Sequence, residues 1–100
     1  MSEEVKKQVE SLISKHKVVV FSKTYCSFCN STKRILEEEG FDSYVLELDK
    51  IENGAEIQEF LFEMTSQKTV PNIFIGGKHI GGNSDLEGLR NSGELKKYLK

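Results

Sequence analysis

Four apolar residues in a row, Val18-Val19-Val20-Phe21, sit between two stretches of helical periodicity. A strand with one wet face alternates apolar and polar side chains. A continuous run of this kind reads instead as a strand buried on both faces, with layers above and below it. The flanking sequence can supply those layers. Residues 3–16 carry Val5, Val9, Leu12 and Ile13 at helical spacing, with Ser2 in place as an N-cap. A second helix is expected from about Ser27 to Glu39, with Cys29, Thr32 and Leu36 on one stripe and Gly40 as its stop.

Residues 43–48, "SYVLEL", read as the next strand. Asn53 and Glu56 have the spacing of a capping box, and Ile57, Phe60, Leu61 and Met64 would form the buried face of the helix that follows. "NIFIGGKHI" (72–80) reads as two short strands around Gly76-Gly77, a two-residue hairpin turn that needs positive φ. Ser84 and Glu87 repeat the capping pattern before a fourth helix, and Leu95, Tyr98 and Leu99 line a short last one. The order is α-β-α-β-α-β-β-α-α. A strand–helix–strand unit makes a right-handed parallel crossover, and the hairpin adds two antiparallel strands. The expected fold is α/β and thioredoxin-like, a four-stranded mixed sheet with helices on both faces, in a single domain spanning residues 1–100.

Charge and composition narrow the function classes. A net charge of −2 with scattered lysines lacks the basic patch of a nucleic-acid binder. No apolar run approaches the ~20 residues of a membrane span. The acidic, amphipathic start "MSEEVKKQVE" is neither a signal nor a transit peptide, so a cytoplasmic setting is expected.

The only two cysteines, Cys26 and Cys29, stand where the first strand hands over to the second helix. Zinc needs four ligands, and there is no second cysteine pair; His16 and His79 do not have finger spacing. Asn30 stands where a haem-attachment motif has His. A buried structural pair fits poorly with a strand-to-helix junction. With Cys26 as N-cap, the backbone amides of the first turn and the helix dipole favour its thiolate, and Lys23 adds positive charge nearby. Cys29, three residues on along the same face, can close a disulfide with it. His16 and His79 read as structural or solvent-facing, Phe60, Phe62, Met64 and Tyr44 as core or surface, and Glu37–Glu39 as a solvated helix end.

"KTYCSFC", "TVPNIFIGGKHIGG" and "NSDL" together resemble a dithiol glutaredoxin of the eukaryotic cytosolic type, over essentially the whole chain. A thioredoxin proper would show Trp-Cys-Gly-Pro-Cys, and the chain has no Trp. The resemblance implies a glutathione-dependent thiol-disulfide oxidoreductase acting on glutathionylated proteins and protein disulfides through Cys26 and Cys29. It also implies a glutathione site. Lys23, Gln67 and Lys68 would face the glycine carboxylate. Thr69, Val70 and Pro71 would lie along the tripeptide, with the Val70–Pro71 bond cis and the Val70 N–H and C=O free. Gly82 would turn the chain into a helix start where the Asn83, Ser84 and Asp85 amides take the γ-glutamyl carboxylate and Asp85 the ammonium. Phe28 would be an apolar wall where relatives often have Tyr. Ser27 departs from the Pro of many members. Some members with Ser there hold a [2Fe–2S] cluster, which implies an alternative. Cys26 of two subunits and two glutathione thiolates would ligate the cluster in a dimer, the protein being otherwise a monomer that needs no metal.

Overall fold

The strand built on the apolar run is the centre of the molecule. β1 (Val18–Ser22) is buried at all five positions. A computed structural model describes residues 2–99. Three more strands, β2 (Ser43–Glu47), β3 (Asn72–Ile75) and β4 (Lys78–Gly81), complete a sheet of order β2-β1-β3-β4. β1 pairs parallel with β2 and antiparallel with β3, and β3 pairs antiparallel with β4 across Gly76 and Gly77, both at positive φ. This is the expected mixed sheet with helices on both faces.

Side-chain alternation along β1 divides the core in two. Val18 and Val20 pack with Ile35, Leu36, Ile73, Ile75 and Leu86 beneath α2 (Ser27–Glu38) and α4 (Asn83–Ser92). Val19 and Phe21 pack with Val5, Val9, Ile57, Leu61 and Phe74 beneath α1 (Glu3–Lys15) and α3 (Gly54–Thr65). Fully burying each such side chain contributes about 1.5–3 kcal/mol, so β1 anchors both layers at once. A closing 3-10 helix, Leu95–Leu99, buries Leu95 and packs Tyr98 on the first layer. The Leu99 side chain lies outside the described residues.

Several local expectations change. The Ser2 cap on α1 is present, accepting the Val5 amide at 3.2 Å. The Asn53–Glu56 capping box is not: Asn53 makes no side-chain cap, and its amide donates to Gln8 Oε1 on α1 at 2.9 Å. Met64 is exposed rather than on the buried face of α3, which Ile57 and Leu61 fill with Phe60 half-buried. β2 ends at Glu47, because Leu48 turns into a 3-10 turn (Leu48–Lys50). The acidic end of α2 is not simply solvated. Arg90 binds Glu38 at 2.9 Å and Glu39 at 3.1 Å, offsetting carboxylates that the helix dipole disfavours at this end. His16 stacks on Tyr44, ring centroids 4.3 Å apart, in the structural role expected of it.

α3 starts hard against the turn after β2. A Cβ on Gly54 would land inside the van der Waals shell of the Leu48 carbonyl oxygen, a backbone atom that cannot swing aside. Alanine is the better helix former by about 1 kcal/mol, but overpacking costs about 1–3 kcal/mol or more and here meets main chain. Gly54→Ala is therefore expected to lower Tm by roughly 5–10 °C in a thermal melt. An unchanged or raised Tm would mean that α3 slides off the turn freely.

Candidate active site

The register of the central pair sets the site. β3 runs against β1, and Asn72 pairs with Phe21. The chain therefore leaves β1 at the edge where it enters β3, and residues 23–26 meet residues 67–71. This edge is also where connections diverge, α2 crossing one face of the sheet and α3 the other, the setting in which open α/β sheets form their crevices.

The loop into α2 is fixed at two points. Thr24 gives its backbone N–H to Asp49 Oδ1 at 3.0 Å and its hydroxyl to the other carboxylate oxygen. The Cys26 amide then donates to Lys23 O at 3.2 Å, a tight turn that delivers Cys26 as the N-cap of α2. Its Sγ accepts the Cys29 N–H at 3.2 Å and donates to Val70 O at 3.6 Å. The Val70 carbonyl, expected free, thus holds the thiol. Cys26 is half-exposed and Cys29 fully buried. Burial, and next the hydrogen bond with Cys26, push the Cys29 thiol above the usual cysteine pKa, so it stays protonated at neutral pH. The pair is unequal: one accessible sulfur held by a helix N-terminus, one sheltered a turn behind it.

Beside the dithiol lies a groove of about 470 Å³. Nine residues anticipated from the sequence line it: Phe28, Gln67, Thr69, Val70, Pro71, Gly82, Asn83, Ser84 and Asp85. The Val70–Pro71 bond is cis. Glu87 is the lining residue that sequence reading missed; it lies four residues after Asn83, on the same face of α4, and that spacing was the available signal. Lys23 sits half-buried in the Cys26 turn and does not line the groove. Lys68 is elsewhere, its Nζ 4.9 Å above the Phe62 ring. Gln67 is in place with a different task. Its side-chain nitrogen donates to Thr69 O at 3.0 Å and Pro71 O at 2.9 Å, bracing the loop rather than offering a donor to a carboxylate.

The N-terminus of α4 begins earlier than the expected Ser84 cap. Gly82 is the N-cap, and Asp85 is the third helical residue, its Oδ2 accepting the Gly82 N–H at 2.9 Å. Gly81 permits this fold-back: at φ +119° it occupies left-handed space, and a Cβ there would strike the Asp85 carboxylate. The first intrahelical backbone bond runs from Leu86 N–H to Gly82 O. The amides of Asn83, Ser84 and Asp85 precede it and present an anion site to the groove, with the helix dipole behind them. Next to this helix start, His79 Nε2 lies 2.9 Å from Asn72 Oδ1. A carbonyl oxygen only accepts, so that nitrogen carries the proton. Burial lowers the His79 pKa, with Asp85 opposing.

Comparison with known proteins agrees with this layout. The glutaredoxin family model matches residues 18–80. A glutaredoxin of Ricinus communis is 49% identical over 92 residues, covering 92% of this chain and 90% of its own. Two solved structures superimpose closely. The holo form of glutaredoxin C1 from Populus tremula x tremuloides has a TM-score of 0.93 at 41% identity, with 97% of this chain and 96% of that one covered. A buckwheat glutaredoxin–glutathione complex also has a TM-score of 0.93, at 39% identity, with 99% and 94% covered. The fold is therefore thioredoxin-like.

The Thr24 hydrogen bonds hold the Asp49 carboxyl below its usual pKa. A depressed carboxylate pKa means that the clamp is in force above the ordinary aspartate range and is lost only as pH falls through the lowered value. The Thr24 amide is expected to resist hydrogen exchange from neutral pH to below that range, and Asp49→Asn to weaken its protection at every pH above the lowered value. Equal exchange in both proteins would show that the loop is held by something else.

Proposed function

The chain belongs to the glutaredoxin family and is a glutathione-dependent oxidoreductase, and we propose that Cys26 is its nucleophile and the groove its glutathione site. The observation that carries this reading is the Cys26 sulfur at 3.6 Å from the carbonyl oxygen of Val70, a residue that lines the groove running to the first amides of α4.

Glutathione has two carboxylates and one ammonium, and the groove offers complementary groups. The γ-glutamyl carboxylate suits the Asn83, Ser84 and Asp85 amides. The adjacent ammonium suits the Asp85 carboxylate, whose Oδ2 already accepts from Gly82 and whose other oxygen is left for it. The cysteinyl backbone runs beside Val70, Phe28 covers its side, and Lys23 on the Cys26 turn supplies positive charge for the glycine end.

The reaction is a pair of thiol–disulfide exchanges. The Cys26 thiolate attacks the glutathione sulfur of a protein–glutathione mixed disulfide. A Cys26–glutathione disulfide forms, and the protein sulfur leaves as a thiolate that takes up a proton. A second glutathione thiolate attacks the bound glutathione sulfur, releasing oxidised glutathione and restoring the Cys26 thiolate. With a protein disulfide as substrate, Cys26 forms a mixed disulfide with the protein. Cys29 then attacks the Cys26 sulfur, the Cys26–Cys29 disulfide forms, and the proton shed by Cys29 ends on the departing protein thiol. The raised pKa of Cys29 makes that second route the more demanding one. A cytoplasmic setting, rich in reduced glutathione, suits both.

A second reading keeps Cys26 as a ligand. Tyr25 and Phe28, 74% and 65% exposed, flank the one accessible thiol, an apolar rim that a second copy would cover. Such a dimer would hold a [2Fe–2S] cluster through the Cys26 of each copy and two glutathione thiolates, and Cys29, buried, would take no part.

Two measurements test these readings. Cys26→Ser should abolish deglutathionylation of a peptide–glutathione disulfide, while Cys29→Ser keeps most of it and loses reduction of protein disulfides. Equal losses in the two variants would reject the assignment. Anaerobic reconstitution with iron, sulfide and glutathione should give a coloured dimer if the second reading holds, and Ser27→Pro should reduce its yield. A colourless monomer would leave the exchange chemistry alone.

A further inference from the structure

Two helix N-termini face the groove, and one buried hydrogen bond joins them. Thr32 lies on α2 three residues after Cys29, on the buried stripe with Ile35 and Leu36, and has no exposed surface. Packing alone does not call for a hydroxyl there, and burying one is costly unless it is bonded. It is bonded: Thr32 Oγ1 donates to Asn83 Oδ1 at 2.8 Å. Asn83 Nδ2 donates in turn to Glu87 Oε1 at 2.9 Å. Asn83, itself 7% exposed, is the first residue of α4, and its backbone N–H is one of the three amides left for the groove. Its side chain is thus held at both ends, by the dithiol helix on one side and by its own helix on the other.

We propose that Thr32 is a positioning residue, which through Asn83 sets the α4 N-terminus against Cys26 and so tunes the groove's affinity for the γ-glutamyl carboxylate of glutathione. The proposal rests on reading the groove as the glutathione site. Thr32 is about 9 Å along the helix from Cys26 and is not among the residues that line the groove, so it touches neither the nucleophilic sulfur nor the ligand. Without its hydroxyl, Asn83 Oδ1 is buried with no donor. The amide can recover one only by rotating or by carrying the first turn of α4 with it. Either movement takes the Asn83, Ser84 and Asp85 amides out of line with a carboxylate.

Thr32→Val keeps the shape and removes the donor; Thr32→Ser keeps the donor. Steady-state turnover at varied peptide–glutathione disulfide and fixed glutathione is expected to show KM for the disulfide raised about fivefold by Thr32→Val, the equivalent of about 1 kcal/mol. Turnover number should stay within about twofold, as should alkylation of Cys26 by iodoacetamide, because the loss is one of ligand placement alone. Thr32→Ser should restore KM. The backbone amide resonances of Asn83, Ser84 and Asp85 should move in Thr32→Val and return in Thr32→Ser. Thr32→Ala, which removes any crowding, is held to the same outcome should the valine variant fail to fold. A lowered Tm with wild-type KM would overturn the proposal, as would a serine variant that leaves KM raised. A wild-type protein that does not saturate with the peptide–glutathione disulfide would bring down the reading of the groove and this inference with it. Normal saturation in every variant would remove the inference alone.

Discussion

The site depends on the antiparallel pairing of β1 with β3. Pairing Phe21 with Asn72 brings the end of one strand to the start of the other, and so carries the Cys26 turn to the Val70–Pro71 segment, forty-four residues away by the Cys26–Val70 bond. A one-residue slip would turn every β1 side chain to the wrong layer. Both cores fix the register, since Val18 and Val20 fit only beneath α2 and α4, and Val19 and Phe21 only beneath α1 and α3. The precision of the chemistry is thus inherited from apolar packing.

On that frame the molecule directs two helix N-termini toward one groove. The start of α2 gives an amide to the Cys26 sulfur, and the start of α4 presents amides that the proposed reading assigns to a carboxylate. Two positive helix ends close together would repel one another in a dry site. Asp85 and Glu87, both on the first turns of α4 and both lining the groove, supply the opposite sign. Asp85 also serves as a cap, so one side chain shapes the helix start and sets the charge of the groove.

Much of this could be read before any coordinates, because it is local. The apolar run of β1, the Gly76-Gly77 turn and the placement of Cys26 before a helix each depend on neighbours within a few residues. Most groove-lining positions were legible for a different reason, through a resemblance carried by three short motifs. What escaped was tertiary. Asn53 has the spacing of a capping residue, yet Gln8, forty-five positions away, takes its side chain. Ser84 has the look of an N-cap, but the fold-back of Asp85 onto Gly82 starts α4 earlier. Gln67 was placed correctly and misread in its task, because the carbonyls of Thr69 and Pro71 compete for its amide. The Arg90 clasp on Glu38 and Glu39 joins helices whose contact no sequence spacing records.

The two-sided burial of β1 has a cost outside the native state. Val18–Phe21 is uncharged, made of three β-branched valines and an aromatic ring, and free of proline, the kind of segment that stacks with copies of itself when exposed. In the folded protein it is an interior strand, paired on both edges and covered on both faces, so no partner can reach it. The sheet edges that remain are the half-buried β2 and the four-residue β4, which begins with exposed Lys78 and His79. Lys17 and Lys23 bracket the run and place like charges at either end of any stack that forms before folding is complete. The strand that organises the fold is therefore also its main aggregation hazard, held in check by flanking charge until the sheet closes around it.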